Sequence, residues 1–266
     1  VHTLTYDSAG TGNMVNYGYT APGLAANGMP GTSPDAAGVF ARQNTGFYAD
    51  VEYDMDALLV QAAARFEDFS DFGSTSNFKF AARYSLGDLV TLRGNFSTGF
   101  RAPTPGQSNY TGVTTSFDGV TGMQVNEGTL KPTDPLCIAL GGTALVPEDA
   151  QNISAGFTTS FIDNLNLSVD YYSVDVTNKI IKSRSLPVEG STEFSELAFY
   201  TNALDTKTSG LDIVATYTLG GGTKIGCAVN TNTTEVVSQN QVNGQNPVSD
   251  GTVFNLENNL PQLRMS

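Results

Sequence analysis

The chain has no tryptophan, a single histidine (His2) and only two cysteines in 266 residues. A lone histidine removes imidazole-ligated metal catalysis and the Ser-His-Asp arrangement from the classes worth pursuing. Cys137 and Cys227 are too few for a disulfide framework and fit no zinc spacing, and whether they pair is left open. Charge is sparse and one-sided: 15% of residues are charged, with 26 acids against 13 bases and a net charge of −13. So acidic a chain repels phosphate backbones, which argues against a nucleic-acid partner. No apolar run approaches the roughly 20 residues of a transmembrane helix. The opening Val1-His2-Thr3-Leu4 has neither the basic start nor the apolar stretch of a signal peptide. It does not begin with Met, so the expectation is a processed start or a fragment. No paired carboxylates, nucleophile or metal-ligand set stands out, so the chain reads as a non-enzyme, with no catalytic residue, no metal and no cofactor.

What is abundant is strand and turn chemistry: 28 Gly, 15 Phe and 11 Tyr, with Ser, Thr and Asn filling much of the rest. Period-2 alternation dominates from Phe47 onward, the signature of strands with one apolar and one polar face. Phe78, Phe80, Ala82, Tyr84 and Leu86 alternate with Asn77, Lys79, Ala81, Arg83 and Ser85. The pattern recurs in Ile153–Phe161, Leu165–Tyr171 and Leu211–Leu219. Cys227 falls on the apolar face of such a stretch and reads as a small packing residue.

Connections sort into two kinds. Short ones lie at Asp54-Met55-Asp56, Gly87-Asp88, Ile162-Asp163-Asn164 and Gly220-Gly221-Gly222. Long ones run from about Arg101 to Glu148, Asn178 to Asp205 and Val236 to Val253, with a shorter one from Asp68 to Thr75. Strict alternation of the two kinds, with strands of about ten residues, is what an up-and-down transmembrane barrel shows. The expected fold is therefore all-β: an antiparallel up-and-down transmembrane β-barrel. Nine strands run from Phe47, with Phe254–Ser266 as the last, and a possible tenth covers Thr3–Tyr6. Such a number does not close a bacterial barrel, so the chain reads as a partial arc, with residues 1–45 a loop-like lead-in and 46–266 the strands and their long loops.

The stretch Arg93-Gly94-Asn95-Phe96-Ser97-Thr98-Gly99-Phe100-Arg101-Ala102-Pro103-Thr104 resembles the most recognisable barrel segment of TonB-dependent outer-membrane receptors. Four further segments resemble that family in its order: Leu145-Val146-Pro147-Glu148; Val169-Asp170-Tyr171-Tyr172, followed by Asn178-Lys179-Ile180; Asn202 with Ser209-Gly210-Leu211-Asp212; and Asn259-Leu260-Pro261-Gln262-Leu263-Arg264. The resemblance covers roughly residues 47–266 and implies a bacterial outer-membrane location with lipid around the barrel. It implies active import of a scarce nutrient, with a ferric siderophore or similar chelate favoured. It also implies a small-molecule nutrient complex as ligand and TonB as partner through a plug domain that this sequence lacks, as it lacks the family's final strands. Rival readings are a passive porin-like channel and a soluble or surface β-rich carbohydrate-binding module.

Five residues are ligand-binding candidates. Arg65, Arg83 and Arg93 form a basic band on the polar face that suits an anionic chelate; the plainer alternative is pairing with acids across strands. Arg101 could meet ligand or plug, against an anchoring role at the loop base. Tyr110 lies in the longest loop, which in this family helps capture substrate, against a solvated loop without a role. Acids at Asp50, Asp54 and Asp56 and at Asp68 and Asp71 suggest calcium, but none fits a calcium loop and solvated strand ends account for them.

Overall fold

The computed structural model describes residues 2–6, 38–117, 122, 124–191, 193–259 and 263–265. Nine strands form one antiparallel sheet in which chain neighbours are spatial neighbours. In chain order they are β3 (Asn44–Met55), β4 (Leu58–Phe69), β5 (Gly73–Leu86), β6 (Val90–Arg101), β9 (Glu148–Thr159), β10 (Leu165–Lys182), β13 (Tyr200–Thr218), β14 (Lys224–Gln239) and β15 (Leu263–Met265). The four short connections are tight turns as expected, and each holds a residue in the left-handed region: Asp56, Gly87, Asn164, and Gly221 with Gly222. Asn, Asp and Gly are the residues that tolerate that backbone, which is why these sequences turn. Among the described residues the sheet does not close; β3 and β15 are its edges. No helix among the described residues is long and apolar enough to cross a membrane.

Polarity is inverted relative to a soluble sandwich. One face presents large apolar side chains to the outside: Val51 is 65% exposed, Phe80 55%, Ile153 48% and Ile225 56%. The opposite face carries Lys79, Arg83, Arg93, Asp170 and Asp212, and the two grooves of the sheet lie on this polar side. A polar, grooved face and an apolar, exposed face match a wall with lipid outside and water inside.

β10, β13 and β14 run for 18, 19 and 16 residues, well beyond the roughly 9–11 needed to cross a bilayer. Their outer face changes character part-way. The aligned row Tyr171–Leu211–Thr231 gives way two residues on to Ser173–Ser209–Thr233, and then to Asp175–Lys207–Glu235, where Lys207 and Asp175 pair at 3.7 Å. Charge on the outer face marks where the strands leave the apolar layer, because a lipid-facing charge is costly. Both ends of the expected loop 178–205 are thus strand, 178–182 in β10 and 200–205 in β13, and 183–199 connects them.

The long connections fold together beyond that level. They contribute α1 (Pro105–Asn109), β7 (Gly112–Phe117), β8 (Gln124–Thr129), α2 (Pro135–Ala139), β11 (Leu186–Pro187) and β12 (Glu196–Ala198). A four-stranded sheet orders these as β11-β12-β8-β7, with β12 parallel to β8. Beneath it Val113, Leu130, Cys137, Leu186, Phe194, Leu197, Phe199 and Val242 form a buried core drawn from all three connections. Such a core is what separates a folded cap from a set of loops.

Two expectations are corrected. The ninth strand does not begin at Phe254: residues 250–258 form a helix, α3 (Asp250–Asn258), and strand resumes only at Leu263. Ser249 caps this helix by accepting from the Thr252 amide at 3.2 Å, and Val253 and Leu256 pack on Ala203, Leu204 and Val248. That spacing is helical, and the capping serine is its start signal. The lead-in also contains strands: β1 (His2–Tyr6), matching the possible tenth strand, pairs with β2 (Gly38–Arg42) and not with the main sheet.

Candidate functional site

Two of the proposed arginines sit side by side, since Arg83 and Arg93 are register partners on β5 and β6. Arg65 is not beside them. Leu59 is the β4 partner of Arg83, which puts Arg65 six residues further along, about 20 Å toward the long connections. Arg101 ends β6, and Tyr110 follows α1 in the cap, where its amide donates to the Gly106 carbonyl at 2.8 Å.

Arg93 reaches across a whole strand. Its guanidinium donates to both carboxylate oxygens of Asp170 on β10 and to Ser168 Oγ at 2.7 Å, passing over Gly156 of the intervening β9. Gly156 makes this possible: a Cβ there would lie 2.6 Å from the Val169 carbonyl oxygen and 2.7 Å from Asp170 Cγ. The device is repeated one step round the sheet. Tyr172 of β10 extends over Gly210 of β13, and its hydroxyl accepts from Asn232 Nδ2 of β14 at 2.9 Å. A Cβ at Gly210 would meet Tyr172 Cζ at 2.5 Å. The Val-Asp-Tyr-Tyr and Ser-Gly-Leu-Asp segments therefore supply braces that tie second-neighbour strands on the inner face.

A second cluster lies where β6, β9, β10 and β13 meet the cap. Arg101 makes a two-point ion pair with its register partner Glu148, Nε to Oε2 at 2.7 Å and Nη2 to Oε1. Glu148, 6% exposed, also accepts from the Ile180 amide at 2.6 Å. Asn202 pairs with the backbone of Val146 as a strand would, accepting from its amide at 3.0 Å and donating to its carbonyl at 2.9 Å. The same amide group donates to the Asn178 carbonyl at 2.7 Å, at the left-handed residue of a bulge in β10. Residues of four separate motifs, Arg101, Glu148, Asn178 and Asn202, thus converge on one junction. Arg101 is thus ion-paired at the base of the long connection, with a carboxylate as its partner.

The other candidates divide by partner. Arg65 pairs with buried Glu67 at 2.8 Å, and Glu67 also accepts from Asn44 Nδ2 at 2.9 Å. Arg83 and Lys79 line a groove of about 470 Å³ on the inner wall. Neither has a carboxylate within ion-pair distance among the described residues. No group of three or more His, Cys, Asp or Glu gathers in metal-binding geometry among the described residues.

Sequence reading missed Arg42. It donates to both oxygens of Asp71 at 2.7–2.9 Å and to the Pro103 carbonyl at 2.5 Å. Its guanidinium also lies over the Phe72 ring, 4.9 Å from the centroid. Phe69 and Phe72 stack with centroids 4.5 Å apart, and Phe100 meets Phe69 edge-on at 5.6 Å. This clasp ties the lead-in to the β4–β5 turn and to the segment after β6. Phe100 of the Gly-Phe-Arg-Ala-Pro stretch was the available signal.

In the cap, Cys137 is fully buried, whereas Cys227 is exposed on β14, and both are free thiols. Burial, with the Asp134 charge adding to it, pushes the Cys137 thiol up from 9.0 to about 12. A raised thiol pKa means that folding favours the neutral form. The stabilisation is complete below the unfolded value and is lost as pH rises through the folded one. The cap is therefore expected to lose stability between about pH 9 and 12. Maleimide titration at neutral pH checks the thiol directly: Cys137 is expected to label only after denaturation.

A family model described as TonB dependent receptor-like, beta-barrel, matches residues 2–263. No curated protein matches the chain. Among solved structures, the siderophore receptor PirA of Pseudomonas aeruginosa superposes with a TM-score of 0.58 at 18% identity, over 78% of this chain and 37% of that one. A mutant of the ferric enterobactin receptor PfeA from the same organism gives 0.56 at 17% identity, over 80% and 29%. PirA of Acinetobacter baumannii gives 0.53 at 16%, over 77% and 29%. At such identities these likenesses bear on fold alone, and the chain spans well under half of each structure. With the family model matched across almost its whole length, the chain belongs to the TonB-dependent receptor-like β-barrel family.

Proposed function

We propose that this chain forms part of the wall and the outer cap of a bacterial outer-membrane receptor that actively imports a scarce nutrient, with a ferric siderophore or similar chelate as substrate. The observation that carries the reading is the inverted polarity of the nine-stranded sheet, apolar outside and charged inside. The folded cap at the long-connection end adds to it, because a receptor needs a shaped outer surface where a passive channel needs an open mouth. The similar structures include a siderophore receptor and a ferric enterobactin receptor, which favours the iron chelate. TonB would couple energy through a plug domain. In this reading Arg93, Arg101 and Arg65 are braces held by internal carboxylates, Arg83 and Lys79 meet what occupies the lumen, and Tyr110 belongs to the capture surface.

Uptake of radiolabelled iron tests this. A strain stripped of its own siderophore receptors and expressing the complete receptor that carries this chain should accumulate iron from a panel of ferric chelates. Accumulation should stop when TonB is deleted. Uptake that persists without TonB supports the passive channel instead.

A further inference from the structure

The cap contains a groove of about 650 Å³ between α2, residues 186–193 and the turn at 242–245. Its floor is apolar: Leu136, Leu140 and Val188 lie partly buried against the cap core. Glu189 and Glu193, both exposed, stand on its rim, and no basic side chain lines it. Arg184 reaches the groove wall, where its guanidinium donates to Gln245. The wider cap repeats the imbalance. In the described parts of segments 102–147, 183–199 and 240–259, seven carboxylates stand against two bases, Lys131 and Arg184. Of the inner-wall cations, Arg65, Arg93 and Arg101 are each held by an internal carboxylate, whereas Arg83 and Lys79 keep their charge on the lumen wall, outside this groove.

From these observations we infer that the groove takes a neutral or cationic amphiphilic ferric chelate and discriminates against polyanionic ones; the inference rests on the import reading above. A ferric tris-hydroxamate is neutral, or cationic when it carries a free amine, whereas a ferric tris-catecholate is a polyanion. An apolar floor accepts the carbon backbone of such a ligand, and the carboxylates set the sign of charge that is favoured at the rim. The groove's fields act at short range and are screened by salt, so the discrimination weakens as ionic strength rises.

The test is equilibrium binding to the complete receptor in detergent, using ferrioxamine B as the cationic probe and ferric enterobactin as the polyanionic one. Ferrioxamine B is expected to bind at least tenfold more tightly. The double variant Glu189→Gln/Glu193→Gln should weaken it about fivefold, with the loss shrinking at high salt. Glu127→Gln, on β8 outside the groove, should change neither affinity. Equal or tighter binding of ferric enterobactin, no binding of either probe, or an unchanged affinity in the double variant would overturn the inference. The iron-uptake assay separates the two failures. TonB-dependent uptake from catecholates alone defeats the charge preference and leaves the import reading standing, whereas no TonB-dependent uptake from any chelate defeats both.

Discussion

Replacing Gly156 with alanine is expected to cut assembly of the folded wall sharply, while the same change at Gly94 leaves it intact. Both glycines lie within strands, where a missing side chain ordinarily weakens pairing and alanine is the better residue. The surroundings decide between them. At Gly94 an added Cβ has only the Ser154 carbonyl oxygen near it, at 3.7 Å. At Gly156 it would stand 2.6 Å from a backbone oxygen, which cannot rotate away, and would displace the Asp170 carboxylate from Arg93. Overpacking of this kind costs about 1–3 kcal/mol, and the stranded Arg93 charge adds to it. Heat-modifiable mobility in gels measures the folded fraction. A second variant identifies the cause: Asp170→Asn should be costly alone and nearly free once Gly156→Ala is present, because the carboxylate has already lost its partner. Additive effects would mean that Gly156 does not serve the brace.

The second large effect is expected at Glu148. Alanine there strands the Ile180 amide and releases the Arg101 guanidinium in one step. A buried donor left without a partner costs about 1–3 kcal/mol. The released arginine adds less, since its side chain is 51% exposed and water takes over part of its solvation. The loss should appear as local opening of the cap, with the wall strands unaffected. Amide exchange at residues 180–199 is expected to accelerate by roughly two orders of magnitude in Glu148→Ala, a change of about 2–3 kcal/mol. Glu148→Gln, which keeps an acceptor for Ile180, should lie between the two. Unchanged exchange in Glu148→Ala would show that the cap is held by its own core alone.

How far the sequence carries depends on the range of the interactions. The eight strands β3–β6, β9, β10, β13 and β14 are legible because period-2 alternation is local and each tight turn is marked by Asp, Asn or Gly. The junction was half legible: Arg101, Glu148, Asn178 and Asn202 stand out as motif residues, but nothing local shows that one buried carboxylate serves both Arg101 and Ile180. The cap was illegible for a stronger reason. Its parallel pair joins Glu127 to Glu196, and its core takes Val113, Phe199 and Val242 from three separate connections. Polar, glycine-rich stretches of this kind read as loop until distant segments meet. The misplacement at Phe254 has the opposite origin: Ser249 and the Val253–Leu256 spacing did signal a helix, but the resemblance of Asn259–Arg264 to a barrel strand drew the strand boundary too early.

The bracing pattern also changes what the charged inner face means. A row of arginines on one face suggests an attractive field for anions, yet Arg93 and Arg101 stabilise the wall by pairing with Asp170 and Glu148, which leaves little net field from those positions. Arg83 and Lys79 keep theirs.

The central claim is the orientation of the two faces, and quenching by brominated lipid measures it most directly. Single cysteines at 78, 79, 80, 92 and 93, introduced into a cysteine-free form of the complete receptor and labelled with a fluorophore, are placed in vesicles of brominated phospholipid. Labels at Phe78, Phe80 and Leu92 should be strongly quenched by lipid. Labels at Lys79 and Arg93 should instead respond to a water-soluble quencher. The alternating pattern is what a wall with lipid outside and water inside requires. Lipid quenching at 79 and 93, or equal access of the aqueous quencher at all five positions, would contradict it.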